Sequence, residues 1–126
     1  MTVKPPLSLA DTVTAIRREL EASDRLFAFR LLARAATAMD DGSIDVPASP
    51  LPSTGDVRWD TLLLALVQRT CQMRHLIQPD WARPKRRAEP WYIDETPALR
   101  HWTRKRTPAD LASLNIFVDA NSLTTA

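Results

Sequence analysis

Between Asp56 and His75 the chain places Trp59, Leu62, Leu63, Leu64, Leu66, Val67, Thr70, Cys71 and Met73 within about five helical turns. The apolar positions recur at helical spacing but spread over several faces. A helix of that kind has no face to offer water, so the rest of the chain has to pack around it. The pattern predicts a central helix over 57–75 that starts near Asp56.

Two other stretches can supply that packing. Ser8 is placed to cap a helix in which Leu9, Val13, Ile16 and Leu20 line one side, predicting a helix over 9–22. Ser23-Asp24 interrupts it and offers a second cap. Leu26, Phe27, Phe29, Leu31, Leu32, Ala35 and Met39 follow, predicting a helix over 25–39 that closes a hairpin with the first. Leu26, Phe27, Phe29 and Leu31 cover more than one face, so this helix is either central to the core or partly covered by a partner.

From Asp40 to Gly55 the chain has three prolines and both of its glycines, which marks a connector over 40–55. A structureless loop of that length is uncommon inside a compact domain. It either wraps the surface through Ile44, Val46 and Leu51 or separates two subdomains, and wrapping is favoured.

Beyond Pro79 the texture changes to Asp-Trp-Ala-Arg-Pro-Lys-Arg-Arg-Ala-Glu-Pro-Trp-Tyr, which fits no regular element. Thr96-Pro97 and Thr107-Pro108 each put a hydroxyl before a proline, predicting that two short helices begin there. Asn115–Leu123 suggests one extended step followed by a helical turn capped by Asp119, with no second strand in view to pair with it. The expected class is all-α: a small helical bundle of three main helices with short C-terminal helices. The expected organisation is one domain over 1–126, with a lead at 1–8, the connector at 40–55 and a basic, tryptophan-rich segment at 80–107.

Size and composition narrow the function. A chain of 126 residues suits one hydrophobic core, and an apolar fraction of 44% with 25% charged residues is that of an ordinary globular protein. No apolar run approaches the roughly 20 residues that cross a bilayer. Pro5-Pro6 breaks the N-terminal stretch where a signal peptide needs continuous apolar residues, so a cytoplasmic protein is expected, with no membrane partner. Cys71 lies in an apolar run and is read as a small buried hydrophobe.

Catalytic motifs are lacking, and no enzyme is expected. His75 and His101 have no clustered partners at metal-ligand spacing, so no metal is expected. Gly42 and Gly55 sit in the connector and form no phosphate-binding loop, so no cofactor is expected. Asp40-Asp41 and Asp94-Glu95 are read as solvated or capping acids.

Charge is segregated. The net charge is only +2, but residues 81–107 hold eight basic and three acidic side chains, whereas residues 1–60 hold seven basic and nine acidic. Trp81, Trp91 and Trp102, three of the four tryptophans, fall in the same basic stretch. Core packing is the ordinary fate of a tryptophan, and aromatic rings beside arginines are also what protein interfaces enrich. Arg83, Lys85, Arg86, Arg87, Arg100, Arg104, Lys105 and Arg106 would equally neutralise phosphates. For DNA reading by helix-turn-helix, residues 97–114 give two short helices, but the second, Ala109–Leu114, is mostly apolar.

Four separated anchors carry a family resemblance over roughly residues 24 to 123. They are Asp24-Arg25-Leu26-Phe27-Ala28-Phe29-Arg30-Leu31-Leu32, Pro52–Leu63, Glu89-Pro90-Trp91-Tyr92, and Thr107-Pro108 with Asn115-Ile116-Phe117-Val118-Asp119. Together they resemble small actinobacterial proteins encoded beside nucleotidyltransferase toxins of the AbiEii type, which are regarded as antitoxins. Some relatives also carry a helix-turn-helix unit. The sequence departs from that pattern in its more basic Lys85-Arg86-Arg87 and in having no separate DNA-binding domain.

The resemblance implies a protein that neutralises its cognate toxin by protein contact. The expected partner-binding residues are Trp81, Arg83, Arg86, Arg87, Trp91, Tyr92, Arg100, Trp102 and Arg104. A DNA-binding transcriptional regulator and a homodimeric interaction module are the alternatives. The other candidate surface is the face of the second helix that carries Phe27 and Phe29.

Overall fold

The structure, a computed structural model, describes residues 8–94 and 96–123. It is all-α in class, with three main helices and short C-terminal ones.

Helix α1 (Leu9–Glu21) begins as its sequence dictates, with the Asp11 backbone N–H donating to Ser8 Oγ at 3.1 Å. Leu9, Val13 and Ile16 point into the core. The helix stops because Ser23 turns left-handed, at φ +61°, letting the Asp24 N–H reach back to the Glu19 carbonyl. Asp24 then caps α2 (Arg25–Asp41) by accepting from the Phe27 N–H at 3.0 Å. With so short a joint, α1 and α2 pack as an antiparallel hairpin.

Helix α2 buries a stripe of mostly small residues, Ala28, Leu32, Ala35, Ala36 and Met39, which brings its backbone close to α1 and α3 (Val57–Met73). Gly42, at φ +84°, ends it in the left-handed conformation that a side chain would strain. The Arg74 guanidinium donates to the Met39 carbonyl at 2.9 Å, and the Thr70 hydroxyl donates to Asp40 at 2.6 Å, so the C-terminal ends of α2 and α3 are held together.

Helix α3 is the centre of the core. Trp59, Leu62, Leu63, Ala65, Leu66, Val67, Thr70 and Cys71 are buried along it. Each fully buried leucine or valine contributes about 1.5–3 kcal/mol relative to exposure. The helix ends at Met73, two residues short of the expected stop, because His75 adopts φ +56°. Met73 is 55% exposed, so the apolar run outlasts the core by half a turn.

In the connector, Ile44, Val46 and Leu51 pack half-buried against the core, and the Trp81 indole N–H donates to the Ala48 carbonyl at 3.1 Å. Its end is locked onto α3, where Asp60 accepts from the Ser53 hydroxyl, the Thr54 hydroxyl and the Thr54 N–H at 2.6–2.7 Å.

Three local expectations are corrected in the C-terminal part. Trp91–Tyr92 forms a short strand, β1, that pairs in parallel with β2 (Ile116–Phe117), although no partner strand was expected. The Trp91 N–H donates to the Asn115 carbonyl at 2.9 Å and the Ile93 N–H to the Phe117 carbonyl at 3.2 Å. A parallel pair needs a crossover of a dozen or more residues, so neither strand is visible from its own neighbourhood.

Thr96 makes no side-chain cap bond; the short 3-10 turn Pro97–Leu99 runs directly into α4 (Arg100–Arg106). Thr107 does not cap α5 (Ala109–Ala112) either. Its hydroxyl donates to the Thr103 carbonyl at 2.7 Å and accepts from the Val118 N–H at 3.0 Å, stitching α4 to the segment after β2. The expected turn over 120–123 is present as α6 (Ala120–Leu123), and the Asn121 N–H donates to Asp119 at 2.9 Å.

Candidate functional site

The apolar residues of α2 do not all fit its buried stripe. Leu26 and Phe29, three apart, stand beside the stripe near the N-terminal end of the helix, and Leu26 is 66% exposed. Across from them lie Leu99 of the 3-10 turn and Trp102 of α4, exposed at 44% and 58%. Between these elements is a groove of about 760 Å³, with Trp59 of α3, Ile93 after β1 and Val118 after β2 among its walls. Its volume is in the range of roughly 300–1,000 Å³ found for ligand-binding clefts.

Charged side chains frame the apolar surface. Arg25 from α2 and Arg106 from α4 face Asp94 and Asp119 around the groove. Arg106 lies 5.4 Å from the Trp102 ring centroid and 3.6 Å from the Asp119 carboxylate, so it spans from the apolar lip to the acidic wall. Asp94 turns one oxygen to the Thr96 N–H at 3.0 Å.

Helix α4 carries Arg100, Arg104, Lys105 and Arg106 and no acid. Tyr92 and Phe117, side by side on the strand pair, stack with ring centroids 4.7 Å apart, and α4 lies over them. Arg100 sits 5.3 Å from the Tyr92 ring and Arg104 sits 5.1 Å from the Phe117 ring. The i,i+4 spacing of the arginines matches the neighbouring aromatic rings beneath, which fixes the stems and leaves both residues exposed.

The expected partner-binding residues are not brought together on one surface. Trp102 lines the groove. Trp81 lies in a second, smaller hollow with Leu51, Asp60, Leu63 and Leu64, against the connector. Trp91 is 6% exposed and packs on Trp59, so it is corrected from an interface anchor to a core residue; its place on β1 turns it inward against α3. Tyr92 is half-buried under Arg100. Arg83 and Arg86 are exposed on the loop before β1, with Arg83 3.7 Å from Asp80. Arg87 is part-buried, its N–H bonded to the Leu114 carbonyl and its carbonyl to the Asn115 side chain, which makes it a strut between loop and β2.

Of the groove residues, Phe29 belongs to the alternative surface on α2 and Arg106 to the basic side chains already named from the sequence, whereas Leu26 and Leu99 were in neither set of candidates. A signal for Leu26 was present, because the apolar width of α2 exceeds what a hairpin helix buries. Leu99 had none, since it is defined by what stands opposite.

Elsewhere the chemistry is quiet. Cys71 is buried, and loss of solvation pushes its thiol pKa up, away from a reactive thiolate. Among the described residues no cluster of three His, Cys, Asp or Glu side chains is placed to hold a metal, and no helix is long and apolar enough to cross a membrane. No known family, curated protein or solved structure matches the chain, so the antitoxin resemblance rests on its sequence anchors alone.

Proposed function

We propose that the chain acts by binding, that the groove between α2, α4 and α6 docks on a partner protein, and that this partner is a nucleotidyltransferase toxin which it restrains. One observation carries the docking reading. Leu26, Leu99 and Trp102 are each more than two-fifths exposed around a single hollow. Scattered surface leucines are ordinary, but an apolar cluster framed by charged groups marks an interaction site. An exposed tryptophan with an arginine over its ring is the kind of anchor that protein interfaces favour. The toxin as partner is supported by the sequence resemblance over residues 24 to 123.

DNA reading is less well supported. Helix α5 is four residues long, buries Leu111 and ties Asp110 to Arg69 of α3 at 3.0 Å, which leaves it little surface for a major groove.

The test is to read the adjacent gene and, where it encodes a nucleotidyltransferase, to co-express the two; an unrelated neighbour counts against the toxin reading. The expected result is a co-purifying complex and relief of growth arrest, both lost on Trp102→Ala combined with Leu26→Ser at unchanged expression. A neighbouring toxin that neither binds the chain nor is relieved by it would sink the toxin reading.

A further inference from the structure

Resting on the docking reading above, we infer that the partner segment in the groove is an amphipathic helix whose inserted face is apolar and carries no charge. The charges around the groove are already engaged within the chain. Arg106 pairs with Asp119, which also accepts the Asn121 N–H; Asp94 accepts the Thr96 N–H; and Arg25 is engaged as well. Two arginines stand against two aspartates, so the lining favours neither sign. A charge brought into the hollow would leave water without a free counterpart, a cost that an apolar side chain does not carry. What remains uncovered is carbon, on Leu26, Leu99 and Trp102.

The walls select a helix. Leu26 and Phe29 on α2 face Leu99 and Trp102 on the turn that runs into α4, each pair three residues apart. Between two such rows of apolar side chains a third helix can set its own row, at i, i+3 or i+4, and i+7. Strand addition has less to work with. Ile93 and Val118, the residues that follow the two strands into the wall, have their N–H groups already bonded, to the Phe117 carbonyl and the Thr107 hydroxyl. An extended peptide would find neither amide open for a backbone ladder, whereas a helix satisfies its backbone internally.

The experiment pans a library of random peptides of about 18 residues, enough for five helical turns, displayed on their encoding RNA, against the full chain. Parallel selections use the Trp102→Ala, Leu26→Ser double variant and Leu99→Ser. All three residues are exposed, so both variants should keep the parent melting temperature, which is measured first; a variant that keeps it serves as the control. The expected winners on the parent chain carry Leu, Ile, Phe, Met or Trp at i, i+3 or i+4, and i+7, with no charged residue at those positions, and the variants do not enrich them. A synthetic copy of the commonest winner should gain helical circular dichroism on binding and lose about tenfold or more in affinity on Trp102→Ala. Glu or Lys placed at one of its apolar positions should each cost about tenfold or more, and a proline at its middle about a hundredfold.

Winners with a charged residue at the spaced positions overturn the inference, as does a gain in affinity from either added charge. So do winners that lack helical spacing or tolerate the proline, winners that bind the variants as well as the parent, and a selection that enriches nothing above them. A toxin that fails to bind while apolar helices are selected removes only the toxin as partner. A toxin whose binding depends on Trp102 and Leu26, with no helical winners, leaves the groove in place and removes the helix.

Discussion

The indole rings of Trp59 and Trp91 meet with centroids 5.8 Å apart and planes tilted by 60°, joining the middle helix of the core to a two-residue strand more than thirty positions away. The tilt suits the edge-to-face attraction of aromatic rings. Trp59 also lines the groove, so this contact links the stability of the core to the shape of the site.

The first prediction follows from that contact. Trp91→Ala removes a buried ring and should cost about 3–5 kcal/mol, as large-to-small core changes do. The measurement is a thermal or urea melt of the free protein. A variant that melts with the parent would place the ring outside the core.

The second concerns Thr107, whose hydroxyl bridges the Thr103 carbonyl and the Val118 N–H. Thr107→Val keeps the shape but leaves the buried amide of Val118 without a partner, at a cost of about 1–3 kcal/mol. Thr107→Ser, which keeps the hydroxyl, should recover most of that stability. Equal losses in the two variants would show that the methyl group matters and the bridge does not.

The third is a pH dependence. The Arg58 side chain donates to the Asp56 carboxylate at 2.7 and 3.1 Å, and this bond, aided by the Arg58 and Trp59 amides against a partial burial penalty, lowers the Asp56 pKa. A carboxylate lowered on folding contributes stability that is complete above its unfolded value of about 3.9 and lost as pH falls through the folded one. Asp56→Asn keeps a capping oxygen but has no charge to lose. The stability gap between parent and variant should therefore hold steady from neutral pH to about pH 5 and close at lower pH. Urea melts across that range test it, and a gap that persists unchanged into strong acid would refute it.

The fourth separates the two basic regions. None of Arg83, Arg86, Arg100 and Arg104 lines the groove, but Arg83→Glu with Arg86→Glu alters charges on the loop before β1, whereas Arg100→Glu with Arg104→Glu reverses charges on the helix that carries Trp102 and Arg106. In stopped-flow association with the toxin, the α4 pair should slow binding and flatten its salt dependence much more than the loop pair. The reverse order would move the working surface to the loop. Reversal on α4 also removes both arginine–ring contacts, so the melt of each variant is read alongside.

The three main helices were legible because what makes them is local. Ser8 and Asp24 lie next to the amides they cap, Leu9, Val13 and Ile16 recur with the helical period, and the leucines of α3 require burial whatever surrounds them. Asp119 is of the same kind, capping the turn that follows it. The tertiary structure alone decided how the second half is used. Trp81, Trp91 and Trp102 share one basic stretch of sequence, yet one packs on the connector, one enters the core and one lines the groove. A side chain's burial depends on what is brought opposite it. For these residues that partner is the strand pairing of β1 with β2 and the seating of α4 over Tyr92 and Phe117, contacts between positions too far apart in sequence for any local pattern to encode.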